Sequence, residues 1–336
     1  MTKTTPPEAN EFELSLFGPG IGECIVIHFG FGNWMVVDSC LDGREGKSAA
    51  LKYLEALQID IPSQVKVIVV THWHDDHIQG ISGLFNQAES ARFVCSDALQ
   101  CKEFFSLIAA GEEIKLVDHI SGISEFSRIL EILDSRRNSK CPAGPDFWAS
   151  EGTKLYQNSS SCEVSIYALS PSHQTITDTK ARLASLIPSA ESIMRKFPNT
   201  TPNESSVVLQ IKTAGLSALL GSDMEKGRDN YHGWQAILNS AVCPPGKSRF
   251  YKIAHHGSEN ADHPSIWNNL LVQNPIAVLT PYIRGRKLRP SENDIHRIKQ
   301  QTGQLYSTRW PITKRSRHPD KAVDRTMKEV THTRRA

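Results

Sequence analysis

The segment Thr71-His72-Trp73-His74-Asp75-Asp76-His77 brings imidazoles and carboxylates together at a spacing suited to metal ions. His72 and His74 lie two apart and point the same way from an extended strand end, while Asp76 and His77 follow around a tight turn. His72 and His74 could then hold one ion and Asp76 and His77 a second, with imidazole nitrogen and carboxylate oxygen suiting Zn²⁺, Mn²⁺ or Fe. The bland alternative is a surface loop rich in His and Asp, which the spacing and the apolar strand before it disfavour. Two metals need more ligands than these, and a bridging carboxylate is the usual completion of a two-metal hydrolytic centre. Asp223, after the apolar stretch 216–221, is the candidate; taken alone it would read as a turn residue.

His255 and His256 end another strand, and Gly257 after them allows close backbone approach. Neighbouring side chains on extended backbone diverge, so one is expected on the metal and the other on the substrate or a ligand. The working assignment gives His255 the metal and His256 a catalytic role, but the sequence leaves the two interchangeable. Asp38, closing Met35-Val36-Val37, is expected to hydrogen-bond a ligating histidine and fix its tautomer. His173 is a further candidate ligand, with a surface histidine an equal alternative, and His119 is weaker still.

Strands must deliver these groups. Phe12 to Phe17, Cys24 to Phe29 and Trp34 to Val37 read as short strands joined by glycine turns, and Val65 to Val70 as a buried β-branched strand. Helical spacing covers 43–57, 98–110, 123–134 and 179–197. Lys140 to Ser161, rich in Pro, Gly and Ser, reads as a loop. Phe93 to Cys95, Val164 to Leu169, the hairpin of Val207 to Thr213 with Ser217 to Leu220, Phe250 to Ala254 and Ala277 to Thr280 complete the strands. Asp38, His72, Asp223 and His255 thus all follow strand ends, as expected of one site at the edge of an α/β sandwich.

The 336 residues and 39% hydrophobic content suit a globular protein of enzyme size. Met1 to Asn10 is polar, and no apolar run approaches the ~20 residues of a membrane span, so a soluble, cytoplasmic protein without membrane contact is expected. Seven scattered cysteines without C-x-x-C pairing read as reduced thiols. The net charge of +2 hides an uneven distribution: from Arg284 to Ala336 there are 15 Lys and Arg against 5 Asp and Glu. Arg284, Arg286, Lys287 and Arg289 are candidate nucleic-acid contacts, and 313–336 reads as a basic tail that is either a binding arm or a solubilising extension.

The run THWHDDH resembles the signature of the metallo-β-lactamase superfamily. Gly18-x-Gly20-x-Gly22-Glu23, Leu219-Leu220-Gly221-Ser222-Asp223, Lys252-Ile253-Ala254-His255-His256-Gly257-Ser258 and the Asn-x-x-Ser-x-x-Leu pattern of Asn203 to Leu209 narrow the likeness. Together they resemble the hydrolase domain of the bacterial competence DNA-uptake channel family, over about Leu14 to Trp310. Two departures stand out: the membrane channel usual in that family is absent, and its His-Pro pair is replaced by Arg289-Pro290. The resemblance implies an α/β fold, the metallo-β-lactamase αββα sandwich with two mixed sheets flanked by helices. It would occupy 1–312, with helical insertions near 98–161 and 174–201.

It also implies two divalent ions, Zn or Mn, and a metal-activated water or hydroxide as nucleophile, oriented by Asp223 and attacking a phosphoryl or carbonyl group. The expected activity is that of a nuclease or phosphodiesterase on DNA or RNA. By analogy alone, a protein partner in a multi-component antiviral defence or DNA-processing system belongs to the same picture. The alternatives are a small-molecule hydrolase, acting on a cyclic nucleotide, phosphocholine-type ester, thioester or lactam, and a non-catalytic binding module, which the intact ligand set disfavours.

Overall fold

Strand Cys24–His28 is buried along its whole length, and so is Trp34–Val37 beside it. Strands with no polar face need a covering layer on both sides. A computed structural model describes residues 5–42, 46–114, 121–138, 147–158, 163–187, 201–284, 288–310, 312 and 334–335, and shows how those layers arise.

The first half runs β1 (Glu13–Phe17), β2 (Cys24–His28), β3 (Trp34–Val37), a ribbon of β4 (Leu41–Asp42) and β5 (Lys47–Ser48), α1 (Ala49–Ala56), α2 (Ile61–Gln64), β6 (Val65–Val69), α3 (Asp75–Ile78), α4 (Ile81–Gln87), β7 (Arg92–Ser96), α5 (Lys102–Ile114), α6 (Ser121–Asn138) and β8 (Phe147–Ala149). Its mixed sheet has the order β1-β2-β3-β6-β7-β8, antiparallel through β3 and parallel beyond. The second half runs β9 (Lys154–Asn158), β10 (Val164–Ala168), α7 (His173–Leu186), β11 (Leu209–Thr213), β12 (Ser217–Leu220), α8 (Gly233–Asn239), β13 (Ser248–Lys252), β14 (Leu271–Leu279), α9 (Glu292–Lys299), β15 (Leu305–Ser307) and β16 (Arg334–Arg335). These strands form a second mixed sheet, parallel from β12 to β15 and antiparallel elsewhere.

Period-two alternation sorts the side chains into layers. Ile25, Val37, Val69 and Val94 face the second sheet and pack with Ile166, Leu209, Ile211 and Leu220. Their neighbours Val26, Val36, Ile68 and Phe93 face outward and pack under Leu54, Leu84, Phe104 and Phe126 of the helices. Beyond the second sheet, Leu219, Tyr251 and Leu279 meet Trp234 and Ile237 of α8 and Ile298 of α9. Each such side chain contributes about 1.5–3 kcal/mol on burial. The result is the αββα sandwich that the motifs imply.

Some elements differ from expectation. The Pro-, Gly- and Ser-rich stretch read as a loop contains β8 and β9, which extend the two sheets. Helix α7 begins at His173 rather than Thr179, because the Ser172 side chain accepts a hydrogen bond from the Thr175 N–H and caps it. Strand β15 was not anticipated, and α1 starts at Ala49, after the β4–β5 ribbon. No helix among the described residues is long and apolar enough to cross a membrane. The ends of β3, β6, β12 and β13 lead directly into Asp38, His72, Asp223 and His255.

Candidate metal centre

Asp38 follows β3 in left-handed backbone, with φ at 60°, and its carboxylate organises the segment after β6. One oxygen accepts the Thr71 N–H at 2.7 Å, and the other accepts the Thr71 hydroxyl at 2.7 Å and His77 Nδ1 at 2.8 Å. Since Thr71 spends its hydroxyl proton on Asp38, its oxygen accepts from His72 Nδ1, 3.0 Å away. His256 is set likewise, with Nδ1 donating to the Thr280 carbonyl at 2.7 Å. In the neutral forms of His72, His77 and His256, Nδ1 therefore carries the proton and Nε2 is the atom free to ligate a cation.

Those three Nε2 atoms surround Asp223, which sits just beyond β12: His77 at 3.3 Å, His256 at 3.8 Å and His72 at 4.0 Å from a carboxylate oxygen. Two groups of potential ligands share Asp223, namely His72 with His74, and Glu23 with His77 and His256; within each, the ligand atoms lie within 4.8 Å of one another. Asp76 reaches the second group through His256 Nε2 at 3.2 Å. His77 Nε2 and Asp223 Oδ1 are buried, and neither has a hydrogen-bond partner among the described residues. Buried polar atoms of this kind normally find partners, so an orphaned nitrogen and carboxylate oxygen facing each other fit a bound cation.

The electrostatics agree. Burial alone would depress His77, yet Asp223, Glu23, Asp38 and Asp76 hold it well above the ordinary histidine range, and His256 is raised against burial by Asp223, Asp76 and Glu23. Burial works against ionised Asp223, but His77, His256 and His255 keep it well below the usual carboxylate range. His72 and His74 are lowered, chiefly by burial, which favours the neutral form that ligates metal. Gathered acids that demand positive charge, beside neutral imidazoles, are the donor set of a divalent-cation site.

His255 and His256 are not on extended backbone; both adopt left-handed conformations, with φ of 45° and 55°. The two rings still part, but through left-handed rather than extended backbone, and it is His256, not His255, that joins a ligand group. Tyr282 stacks on the His256 ring at 5.4 Å. His255 Nε2 instead accepts from Arg289 Nη1 at 3.1 Å, and Nδ1 lies 3.5 Å from Glu225. A cavity of about 540 Å³ opens over the centre, lined by His74, Asp76, Asp223, His255, Asn203 and Arg289 among others.

Sequence reasoning gave no role to Glu23 or Lys252. Lys252 is fully buried and ion-paired to Glu23, whose other oxygen accepts the Thr280 hydroxyl. The signal was present in Gly22-Glu23 and in the lysine preceding the histidine pair, but only the fold brings the two together. His173 is exposed at the first residue of α7, its N–H on Glu151, and joins neither ligand group, so no metal-ligand geometry supports it. Arg284 is exposed, and Arg289 is half-buried at the cavity. Arg286, Lys287, His119 and nearly all of the basic tail lie outside the described residues.

Residues 17–99, which contain Glu23, Asp38 and the whole of His72 to His77, match the metallo-beta-lactamase superfamily. That match covers the first part of the αββα sandwich, the part that carries most of the candidate metal-binding cluster. Among solved structures, the metallo-beta-lactamase fold protein YhfI from Bacillus subtilis is similar at 10% identity and a TM-score of 0.41, over 88% of this chain and 95% of that one. A HARLDQ-motif mutant of a metallo-beta-lactamase from Cronobacter sakazakii is similar at 15% identity and a TM-score of 0.35, over 76% of this chain and 69% of that one. No curated protein sequence matches at a significant level.

Proposed function

We propose that the protein is a two-metal phosphodiesterase acting on nucleic acid. The observation that supports this most is Asp223, shared by two ligand groups beneath an open cavity that has Arg289 on its wall. His72 and His74 would hold one ion with Asp223; Asp76, His77 and His256 would hold the other. Divalent ions bound there would lower the pKa of water to make a nucleophile and neutralise charge developing on a phosphoryl oxygen. The chain's own residues do the rest. Asp38 and the Thr280 carbonyl keep His77 and His256 in the ligating tautomer, and Arg289 offers a fixed fork for phosphate oxygens. The likeness of the motifs to a DNA-uptake hydrolase domain and the exposed Arg284 favour a polyanionic substrate.

A second reading is a small-molecule phosphoesterase. It is favoured by the cavity's volume of about 540 Å³, within the range of small-molecule sites, with Ile123 of α6 in its lining.

The test is cleavage of labelled single-stranded DNA, duplex DNA and RNA with Mn²⁺ or Zn²⁺, wild type beside Asp76→Ala. Metal-dependent cutting that the substitution reduces by at least about a hundredfold is expected of a lost metal ligand. Intact polymers alongside hydrolysis of a cyclic nucleotide or a model phosphodiester would move the assignment to the second reading.

A further inference from the structure

The geometry points to His255 as a positioning residue that aims Arg289 at an anionic phosphoryl oxygen of the substrate, rather than as a metal ligand. This rests on the phosphodiesterase reading above, and it assigns the part of the site that reads the substrate's charge.

A polar rail runs along one wall of the cavity. Asn203 Nδ2 donates to Glu225 Oε1 at 3.2 Å, the same oxygen lies 3.5 Å from His255 Nδ1, and Arg289 Nη1 donates to His255 Nε2 at 3.1 Å. All four residues line the cavity that holds His74, Asp76 and Asp223. His255 Nδ1 makes no hydrogen bond among the described residues, Glu225 being its nearest acid, and the direction of the Arg289 bond follows from what its atoms can do. A guanidinium only donates, so His255 Nε2 must accept, which places the imidazole proton on Nδ1, facing Glu225. The lone pair that would bind a metal is thus occupied by Arg289.

Both Nε2 atoms lie 3.8 Å from Asp223 Oδ2, but His256 is the opposite case in its other contacts: its Nδ1 proton is on the Thr280 carbonyl, its Nε2 is 3.2 Å from Asp76, and it alone of the two joins a ligand group. The left-handed backbone at both residues produces this division: it rotates one ring into the ligand group and the other to the wall. Non-glycine residues rarely take that conformation, and when they do it commonly marks a functional constraint.

Arg289 is fixed at its base too. Its N–H and C=O exchange hydrogen bonds of 2.9 and 2.8 Å with Tyr282, the residue stacked on His256. Backbone on one side and His255 on the other leave the planar fork little freedom, and a preorganised fork loses less entropy on binding an oxyanion. Asn203 Oδ1 is buried without a hydrogen-bond partner among the described residues, so the far end of the rail still has an acceptor to satisfy. A hydroxyl of the substrate is the complementary group.

The experiment measures inorganic phosphate binding to the metal-loaded protein by calorimetry, together with bound metal per chain, for wild type, Arg289→Met, His255→Ala, Glu225→Gln and His256→Ala. Arg289→Met is expected to weaken phosphate on the order of ten- to a hundredfold, as for loss of a hydrogen bond to a charged group. His255→Ala and Glu225→Gln should weaken it several-fold with metal content unchanged, and His255→Ala combined with Arg289→Met should bind no worse than Arg289→Met alone. His256→Ala should lose metal. Glu225, whose side chain is 37% exposed, supplies the variant least able to disturb folding.

Loss of metal in His255→Ala, or wild-type phosphate affinity in Arg289→Met, overturns the assignment. Arg289-dependent phosphate binding by a protein that leaves DNA, RNA and model phosphodiesters intact supports it and overturns the reading of function instead.

Discussion

His77 is the residue on which the site's charge balance turns. Its Nδ1 is fixed on Asp38, and acids on every side raise its affinity for a proton when no metal is bound. The folded chain without metal therefore binds protons at His77 and His256 that the unfolded chain would bind only near its ordinary histidine value of about 6.5. A raised value gives stability that is complete below the unfolded pKa and is lost as pH rises through the folded one. The thermal midpoint in excess EDTA should fall as pH rises above about 6.5, and the fall should vanish with Mn²⁺ or Zn²⁺ bound, since the cation replaces the protons. A flat profile in EDTA would contradict the carboxylate cluster. His72 and His74, with lowered values, act in the other window and cost stability only as pH falls below about 6.5.

At this scale the sequence was legible where ligands are close along the chain. His72 to His77 declare themselves by spacing, and Asp38 and Asp223 by the strands they follow. The division of labour between His255 and His256 was not legible, because it depends on a backbone conformation that neither residue type announces. The Glu225 to Arg289 rail was hidden as well, since it is made of residues far apart in sequence.

Among the elements, the turn after β13 has the tightest requirement. Gly221, just past β12, lies so close to that turn that a Cβ there would sit 2.9 Å from the backbone nitrogen and 3.0 Å from the Cα of Ala254. Backbone cannot give way as a flexible side chain does, so Gly221→Ala must push the β12 end away from the histidine turn. The expected cost is about 1–3 kcal/mol of stability, read by urea denaturation, together with weaker metal binding, because Asp223 and His256 stand on the two displaced pieces. A variant as stable as wild type with full metal affinity would show that the two strand ends are not held in register by this contact. Strands with a continuous β-branched run, such as β6, could be placed from sequence almost to the residue. The short β8 and β9 could not, since they sit in a Pro-, Gly- and Ser-rich stretch and gain their order by pairing with strands already formed.

In the molecule as a whole, each sheet supplies only part of the centre: Asp38 and His72 to His77 follow strands of the first, Asp223 and His256 strands of the second. Any ion held between them fastens the two halves of the sandwich. Metal bound only to the folded state adds about 2.7 kcal/mol at a hundredfold excess over its Kd. Removal by chelator should lower the thermal midpoint by several degrees, re-addition should restore it, and Asp223→Asn should abolish the difference. An unchanged midpoint would mean that the halves are held by the core between Val69 and Leu220 and their neighbours alone. The layered architecture itself was legible from strand patterning, whereas the meeting of the two halves at Glu23 and Lys252 was not.

That ion pair joins residues 229 positions apart, and Thr280 reaches Glu23 across 257. Contacts of such range close slowly and late in folding. During synthesis, the His72 to His77 segment emerges long before Asp223, His256 and Lys252 exist to complete it. A growing chain thus cannot close the ligand cluster around Asp223 until the strand bearing Lys252 has been made and docked.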